Sequence, residues 1–518
     1  MFADTHVHPM MKYVHQDKDN LWNSFAGPLR LIGLLNNLVG IPAFSQSDFR
    51  RLAKGNFQII FCALHPPEQQ ILFTKAGDLL DDIVDTAAAQ VISIPRRKID
   101  QYRQPEYDHF KQLDAELKRL TLGQSLSRKL TIDGKRRKCS FKVVKDLSEV
   151  KEIIDFNAGQ DNEFKIAVIL TVEGLHALGR GHVDFDGHNP HNVNDQEFML
   201  RLDRLKGLTN DDGHGWSHTP IVMNITHAFD NSICGHAQAL AKLMREKLFK
   251  YAEEFGSNTI SLNKPLSEFG QKVIKRMLNI DDNPAGKRIL ADIKHMSTAT
   301  RRDYYQIIDM HNQANPDDIL PVIMSHAAVN GKPLLSESNY NPEDQDNEYD
   351  QSETFNPWSI NLYDDEIIRI HETKGLIGLI MDQRVLAGGE KIKQLKCRLD
   401  EESYDGMNPF EGLTKDEAWF KLVFDQILHI VNVVKNSNTT VDKKSVWDRI
   451  CIGSDFDGQI DPINAFKKAT DFYDYRDELA DCLDKPENTQ LKLGLTTDEI
   501  VHKICFENVF EFIKAHYA

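Results

Sequence analysis

Eight short apolar runs punctuate the chain: Met1–Ala3, Gln58–Leu64, Lys165–Val172, Pro220–Ile225, Ile289–Ile293, Pro321–Met324, Leu376–Met381 and Arg449–Ile452. They are rich in Val, Ile, Leu and Phe, and apolar continuously rather than alternately. That pattern suits parallel strands covered on both faces. Helical periods fall between the runs. Trp419, Phe420, Val423, Phe424, Ile427, Leu428 and Val431 make one stripe at helical spacing. Thr496-Thr497-Asp498-Glu499 reads as a capping box before Ile500, Val501, Ile504 and Cys505. Ser297 and Thr298 can cap a helix running through Ile307 and Ile308. Strand and helix alternating eight times predict an α/β fold, a (β/α)8 barrel.

The chain has 518 residues, and such a barrel typically takes ~250, so about half must be insertion. Three polar stretches are the candidates, within a single barrel over residues 1–518. Residues 96–151 carry the basic cluster Lys135, Arg136, Arg137 and Lys138. Residues 179–219 are rich in Gly, His, Asn and Asp. Residues 333–366 are acidic, with no Lys or Arg. All three are expected to be solvated loops or small excursions, placed where they can rim one mouth of the barrel.

Hydrophobic residues make up 41% and charged residues 27%, which fits a globular protein with a sizeable core and excludes collagen-like, coiled-coil and wholly disordered chains. The net charge of −16 argues against a duplex-binding protein, so no nucleic-acid partner is expected. No apolar run approaches the ~20 residues of a membrane helix, and residues 1–6 turn polar at once, so neither a membrane nor a leader is expected. Seven cysteines at wide spacing, with no C-x-x-C, fit neither a disulfide framework nor a cysteine zinc site. Reduced thiols and a cytoplasmic setting are the resulting expectation.

The candidate chemistry sits just past the ends of these runs. Asp4-Thr5-His6-Val7-His8 comes after the first, Glu173-Gly174 after the third, Thr226-His227 after the fourth, Lys294-His295 after the fifth, Ser325-His326 after the sixth, and Gly453-Ser454-Asp455-Phe456-Asp457-Gly458 after the eighth. In a (β/α)8 barrel the C-terminal strand ends open onto one face, where active sites are built. Imidazoles and carboxylates gathered there are the donor set of a zinc-like site. His6 and His8, two apart in an extended strand, point the same way and can meet one ion. Glu173, after a wholly apolar strand, would be costly as a carboxylate unless paired or metal-bound.

This ordered set resembles the membrane (renal-type) dipeptidases, a branch of the amidohydrolase-like metal-dependent hydrolases. GSDFDG is its most specific member, and Leu266–Gly270 and Glu507–Phe510 add support. The resemblance implies a metal-dependent dipeptidase-like hydrolase. It would cleave a dipeptide or related amide bond with a metal-activated bridging water. It implies two divalent metal ions, with zinc the expectation: His6 and His8 on one, His295 and His326 on the other, Glu173 bridging both. His227 would lie over the substrate and stabilise the oxyanion, and Asp455 would relay the proton of the attacking water.

Two departures from the family pattern matter. Position 8 is His where the family has Asp. The family's Arg-Asn pair, whose Arg holds the substrate carboxylate, has Ile360-Asn361 as its counterpart; Arg384 could substitute from another direction. Lys294 is expected to point away from the metal by strand alternation. His65 is open between lining the mouth and capping the turn at Pro66-Pro67. His182, His188, His191, His214 and His218 read as solvated loop. The partner expected is a small peptide or amide substrate, and a homodimer remains open. Other amidohydrolase reactions, of deaminase or lactonase type, and a non-catalytic ligand-binding barrel are the alternatives.

Overall fold

The structure is a computed structural model that describes residues 1–14, 20–23, 42, 44–69, 96–104, 106–180, 193–209, 215–239, 262–335 and 354–518. Each of the eight apolar runs coincides with a strand. They are β1 (Phe2–Val7), β2 (Phe57–Leu64), β5 (Glu163–Val172), β6 (Val222–Asn224), β7 (Leu290–Asp292), β8 (Ile323–Ala327), β9 (Leu376–Leu379) and β10 (Ile450–Ile452). A hairpin of β3 (Arg128–Ile132) and β4 (Lys135–Val143) precedes β5. The eight strands pair in parallel in the order β2-β1-β10-β9-β8-β7-β6-β5, and β2 pairs with β5 to close the ring. The protein is therefore a (β/α)8 barrel.

The helices form where the sequence supplies caps. Ser297 caps Thr298–Ala314, its side chain accepting from the Thr300 N–H. Thr496 and Glu499 form a reciprocal box at Thr497–His502. Thr414 and Glu417 do the same for Lys415–Asn436, whose Trp419, Phe420, Val423, Phe424, Ile427 and Val431 are buried against the barrel. All seven cysteines are unpaired thiols. No described helix is long and apolar enough to cross a membrane.

The stretch 96–151 departs from the expectation of loop. It holds helices Arg96–Tyr102 and His109–Gly123 as well as the hairpin. Asp133-Gly134 links Ile132 to Lys135 with φ of 49° and 73°, a two-residue turn whose twist matches its strands. Cys139, Phe141 and Val143 alternate inward while the basic residues face out. β4 runs beside Glu163–Val168, the first half of β5, and the last two residues of β5 pair with β6 on the same edge. The basic cluster thus lies at the base of the barrel, not around its mouth. There Lys135 meets Asp161, and Lys138 meets Glu163.

Small residues let the strands close tightly. A Cβ on Gly378, in β9, would lie 1.9 Å from the Ser325 carbonyl oxygen and 2.4 Å from Thr5 Oγ1. Gly378→Ala is therefore expected to destabilise the protein by about 1–3 kcal/mol through overpacking. Gly159→Ala, at a helix end with its nearest neighbour at 3.5 Å, should stay within about 1 kcal/mol of the parent. Chemical denaturation of both variants tests this, and equal stabilities would refute the tight closure.

Candidate metal centre

The strand ends are stitched together before any ion is considered. The Asp455 N–H donates to the His6 carbonyl (2.9 Å), and the His8 N–H to the Phe456 carbonyl (2.9 Å). This zips the end of β1 to the loop after β10. Asp4 Oδ1 accepts from the N–H groups of His6 and Ser454, both at 3.0 Å. Asp292 does the same between β7 and β8, where Oδ1 accepts from Lys294 N–H (2.9 Å) and Ser325 N–H (3.3 Å). Both aspartates are fully buried. Burial raises both pKa values, that of Asp4 to about 6. Asp457, the second acid of GSDFDG, is an anchor: it accepts from the N–H groups of Gln46 and Ser47 and pairs with Lys12 Nζ at 2.8 Å.

On this frame Glu173 stands at the end of β5, and four imidazole nitrogens surround its carboxylate. Oε1 lies 3.4 Å from His6 Nε2, 3.3 Å from His295 Nε2 and 3.7 Å from His326 Nε2. Oε2 lies 3.3 Å from His8 Nε2. The nitrogens form two close pairs, His6–His8 at 3.0 Å and His295–His326 at 3.2 Å. Ser325 Oγ lies 3.1 Å from His6 Nδ1 and 2.9 Å from His326 Nδ1. One hydroxyl thus holds the far side of both rings and turns their Nε2 atoms to the centre. Asp455 Oδ1 lies 3.4 Å from His8 Nε2 and 3.9 Å from His6 Nε2.

Three residues here adopt left-handed backbone without being glycine: His295 (φ 68°), Asp455 (φ 59°) and Asp457 (φ 66°). Such conformations cost free energy and concentrate at functional sites. Gly458 is needed for room, because a Cβ there would lie 1.9 Å from Asp455 Oδ1.

The donor set fits divalent cations. Neutral imidazole lone pairs and a carboxylate, converging in buried space, are ligands for zinc-like ions. His6, His8 and Glu173 can hold one ion; Glu173 and His295, with His227, can hold another; His6, His326 and Asp455 form a third such group. Burial, then the charge of His227, pushes His295 down to about 3, so its nitrogen is unprotonated and available. Burial also holds His326 well below the ordinary value. Burial works to raise Glu173, but His227, His6 and His8 outweigh it, and the carboxylate stays ionised.

His227 is at the rim, with Nε2 4.0 Å from Glu173 Oε1. Its Nδ1 lies 2.6 Å from Glu68 Oε2. Burial disfavours its charged form, yet Glu68 and Glu173 outweigh that and raise its pKa to about 9. His65 does line the mouth: its Nδ1 lies 2.9 Å from the Glu173 carbonyl and 3.5 Å from Oε2. Arg384 has Nε and Nη2 bound to Asp382, and Nη2 also reaches the Gln459 carbonyl. Asn361 donates to the Asn356 and Val385 carbonyls and serves its own loop. His218 is partly exposed against Ser217; His182, His188, His191 and His214 lie outside the described residues.

Lys294, expected to point away from the metal, lies inside the protein. It does not point to the exterior: it is 1% exposed, with no hydrogen-bond partner for Nζ among the described residues. Burial lowers its pKa to about 8, against the opposing charges of Asp455, Asp292, Asp382 and Glu173. His295, the next residue, is also buried and has a positive φ of 68°.

Sequence reading missed Glu68, Ser325, Asp4, Asp292 and Glu116 as parts of the centre's support. Asp4 and Asp292 precede candidate ligands by two and three residues, a signal that was available. Glu116, on helix His109–Gly123, accepts from the His65 N–H at 3.1 Å and from Gln112 Nε2 at 3.3 Å.

No family model matches the chain, and no curated protein matches it. Solved structures do. The dipeptidase AC, a metallopeptidase of family M19, is 12% identical, with 100% of this chain and 98% of that chain covered and a TM-score of 0.48. A metallopeptidase from Rhodobacter sphaeroides, liganded with a phosphinate mimic of the dipeptide L-Ala-D-Ala, is 12% identical, with 100% and 99% covered and a TM-score of 0.47. A probable dipeptidase, PvdM, from Pseudomonas aeruginosa is 12% identical, with 90% and 88% covered and a TM-score of 0.43.

Glu116 supplies a pH test of the support. It is 3% exposed, and burial pushes its pKa up to about 7 from an ordinary 4.5. As pH rises through 4.5 the unfolded chain releases this proton while the folded one keeps it. The contribution is therefore full below 4.5 and falls until pH 7. Glu116→Gln removes that fall, so it should gain on the order of 3 kcal/mol relative to the parent between pH 5 and pH 8. Urea denaturation at both values measures it, and a pH-independent difference would contradict the assignment.

Proposed function

We propose that this protein is a metal-dependent hydrolase of dipeptidase type, with two divalent cations, zinc by expectation, held by His6, His8, Glu173, His295 and His326. One observation carries the reading: a buried carboxylate with the Nε2 atoms of four histidines within 3.7 Å, from strands far apart in sequence. When bound, the cations would lower the pKa of a water and polarise the scissile carbonyl.

The chain's own residues supply the rest. Asp455, 10% exposed at its side chain and next to His8, takes the proton of the attacking water and returns it to the leaving amine. His227, at the rim, donates from Nε2 to the oxygen that gains negative charge. Glu173, with Oε1 facing His295 and Oε2 facing His8, would help to hold both cations. In the sequence Ile360 stands where the family pattern has its carboxylate-binding Arg, and Asp382 engages Arg384. The substrate class that fits is a dipeptide or related amide with no strict need of a free terminal carboxylate.

A second reading, a single-ion centre of deaminase type, draws on the grouping of His6, His326 and Asp455. Metal stoichiometry separates the two: about two ions per chain fits the first, about one the second.

Three outcomes are expected. Asp455→Asn keeps its metal and loses about 10²–10⁴-fold in turnover; full activity would end the proton-relay role. Glu173→Ala falls below one ion per chain by elemental analysis, and unchanged content would remove the bridge. In a hydrolysis screen of the metal-loaded protein, C-terminally blocked dipeptides should be cleaved at least as well as free ones. A strict requirement for the free carboxylate would show that another cation, such as Arg384, holds it.

A further inference from the structure

Glu68 lies in the run Pro66-Pro67-Glu68-Gln69 after β2, and nothing in its surroundings by sequence marks it as special. The fold brings it to the end of β6, 159 residues away. Oε2 lies 2.6 Å from His227 Nδ1. Oε1 accepts from the N–H of Phe229 at 3.1 Å and from that of Ala228 at 3.3 Å. The carboxylate is 3% exposed and held at both oxygens.

An ionised carboxylate only accepts, so Nδ1 of His227 must be the donor. The ring is then fixed in one orientation, and Nε2 is the atom that faces Glu173. The backbone bonds to Ala228 and Phe229 set the loop that carries the ring. Rotation about the Cβ–Cγ bond would cost the 2.6 Å bond and leave the buried Oε2 with only the long 3.4 Å bond from the Ala228 N–H. We propose that Glu68 is the positioning residue of His227: it fixes Nδ1 as donor and aims Nε2 into the mouth. Short carboxylate–imidazole contacts of this kind orient functional histidines generally, and their loss typically costs about 10–100-fold.

The proposal rests on the role given to His227 above, and the test separates the two. Glu68→Gln, Glu68→Asp, His227→Gln and the double variant Glu68→Gln/His227→Gln are prepared in the full chain, loaded with zinc. Metal content is measured for each. Glu68→Gln is expected to lower kcat about 10–100-fold, with KM within about threefold and metal content unchanged; Glu68→Asp should recover part of the loss. The double variant should be no slower than His227→Gln alone, because a residue that acts only through another is not additive with it. Independent of activity, proton NMR of the parent should show a far-downfield imidazole N–H that Glu68→Gln and His227→Gln both lack.

Additive losses in the double variant, or a downfield signal that survives Glu68→Gln, would overturn the proposal while leaving the role of His227 intact. Full activity of His227→Gln would instead remove that role. The NMR signal would then still decide whether Glu68 holds the ring.

Discussion

Four imidazole nitrogens and a carboxylate share one buried space at the end of β5, and this crowding is the constraint on which the mouth depends. His6 Nε2 and His8 Nε2 are 3.0 Å apart, and His295 and His326 are 3.2 Å apart. At such distances each pair of nitrogens must share a proton or a cation, and a buried carboxylate is costly without a partner. Positive charge placed among them would satisfy all five groups at once. The surrounding polar contacts hold the groups together. Asp4 ties β1 to the loop after β10, Asp292 ties β7 to β8, and Ser325 holds two rings from behind.

The barrel and the ring of candidate ligands were legible because parallel strands are apolar throughout and end abruptly in polar groups. Each of the eight runs became a strand, and the residues just past them came together. The features that stayed hidden had a physical reason in each case. Glu68 meets His227 only through tertiary folding, and beside two prolines it reads as turn. Lys294 is buried with no hydrogen-bond partner for Nζ among the described residues, and a lysine after an apolar run does not announce that. The hairpin Arg128–Val143 was concealed by its charges, although Asp133-Gly134 between alternating apolar positions is a strong local signal. Asp455 and Asp457 look equivalent in GSDFDG. Only the folded chain separates the one that faces the imidazoles from the one that binds Lys12 and Ser47.

Insertion length does not translate simply into a rim around the site. The basic hairpin extends the sheet at the base, on the edge of β5 that β6 uses higher up. Helix His109–Gly123, from the same stretch, reaches the other way and braces His65 through Glu116. One insertion thus serves both ends of the barrel. Parts of the histidine-rich and acidic stretches lie outside the described residues, and the described parts engage the scaffold, the first through helix Asp195–Leu205. Arg201 binds Asp108 through both terminal nitrogens, and Asn361 closes its loop against Val385.

β5 is the longest of the ring strands, and it has three neighbours, β2, β4 and β6. Its backbone amides are bonded along both edges, and every residue from Ile166 to Val172 is buried. Local opening of this strand would require breaking pairings on both sides at once, so it belongs to the portion of the chain that opens only with global unfolding. The residue most central to the charge balance thus hangs from the stiffest support available. In hydrogen-exchange terms, the floor of the mouth should be slow, and a rim built on short strands and loops should be faster. Sequence change at that rim can therefore proceed without disturbing the carboxylate beneath it.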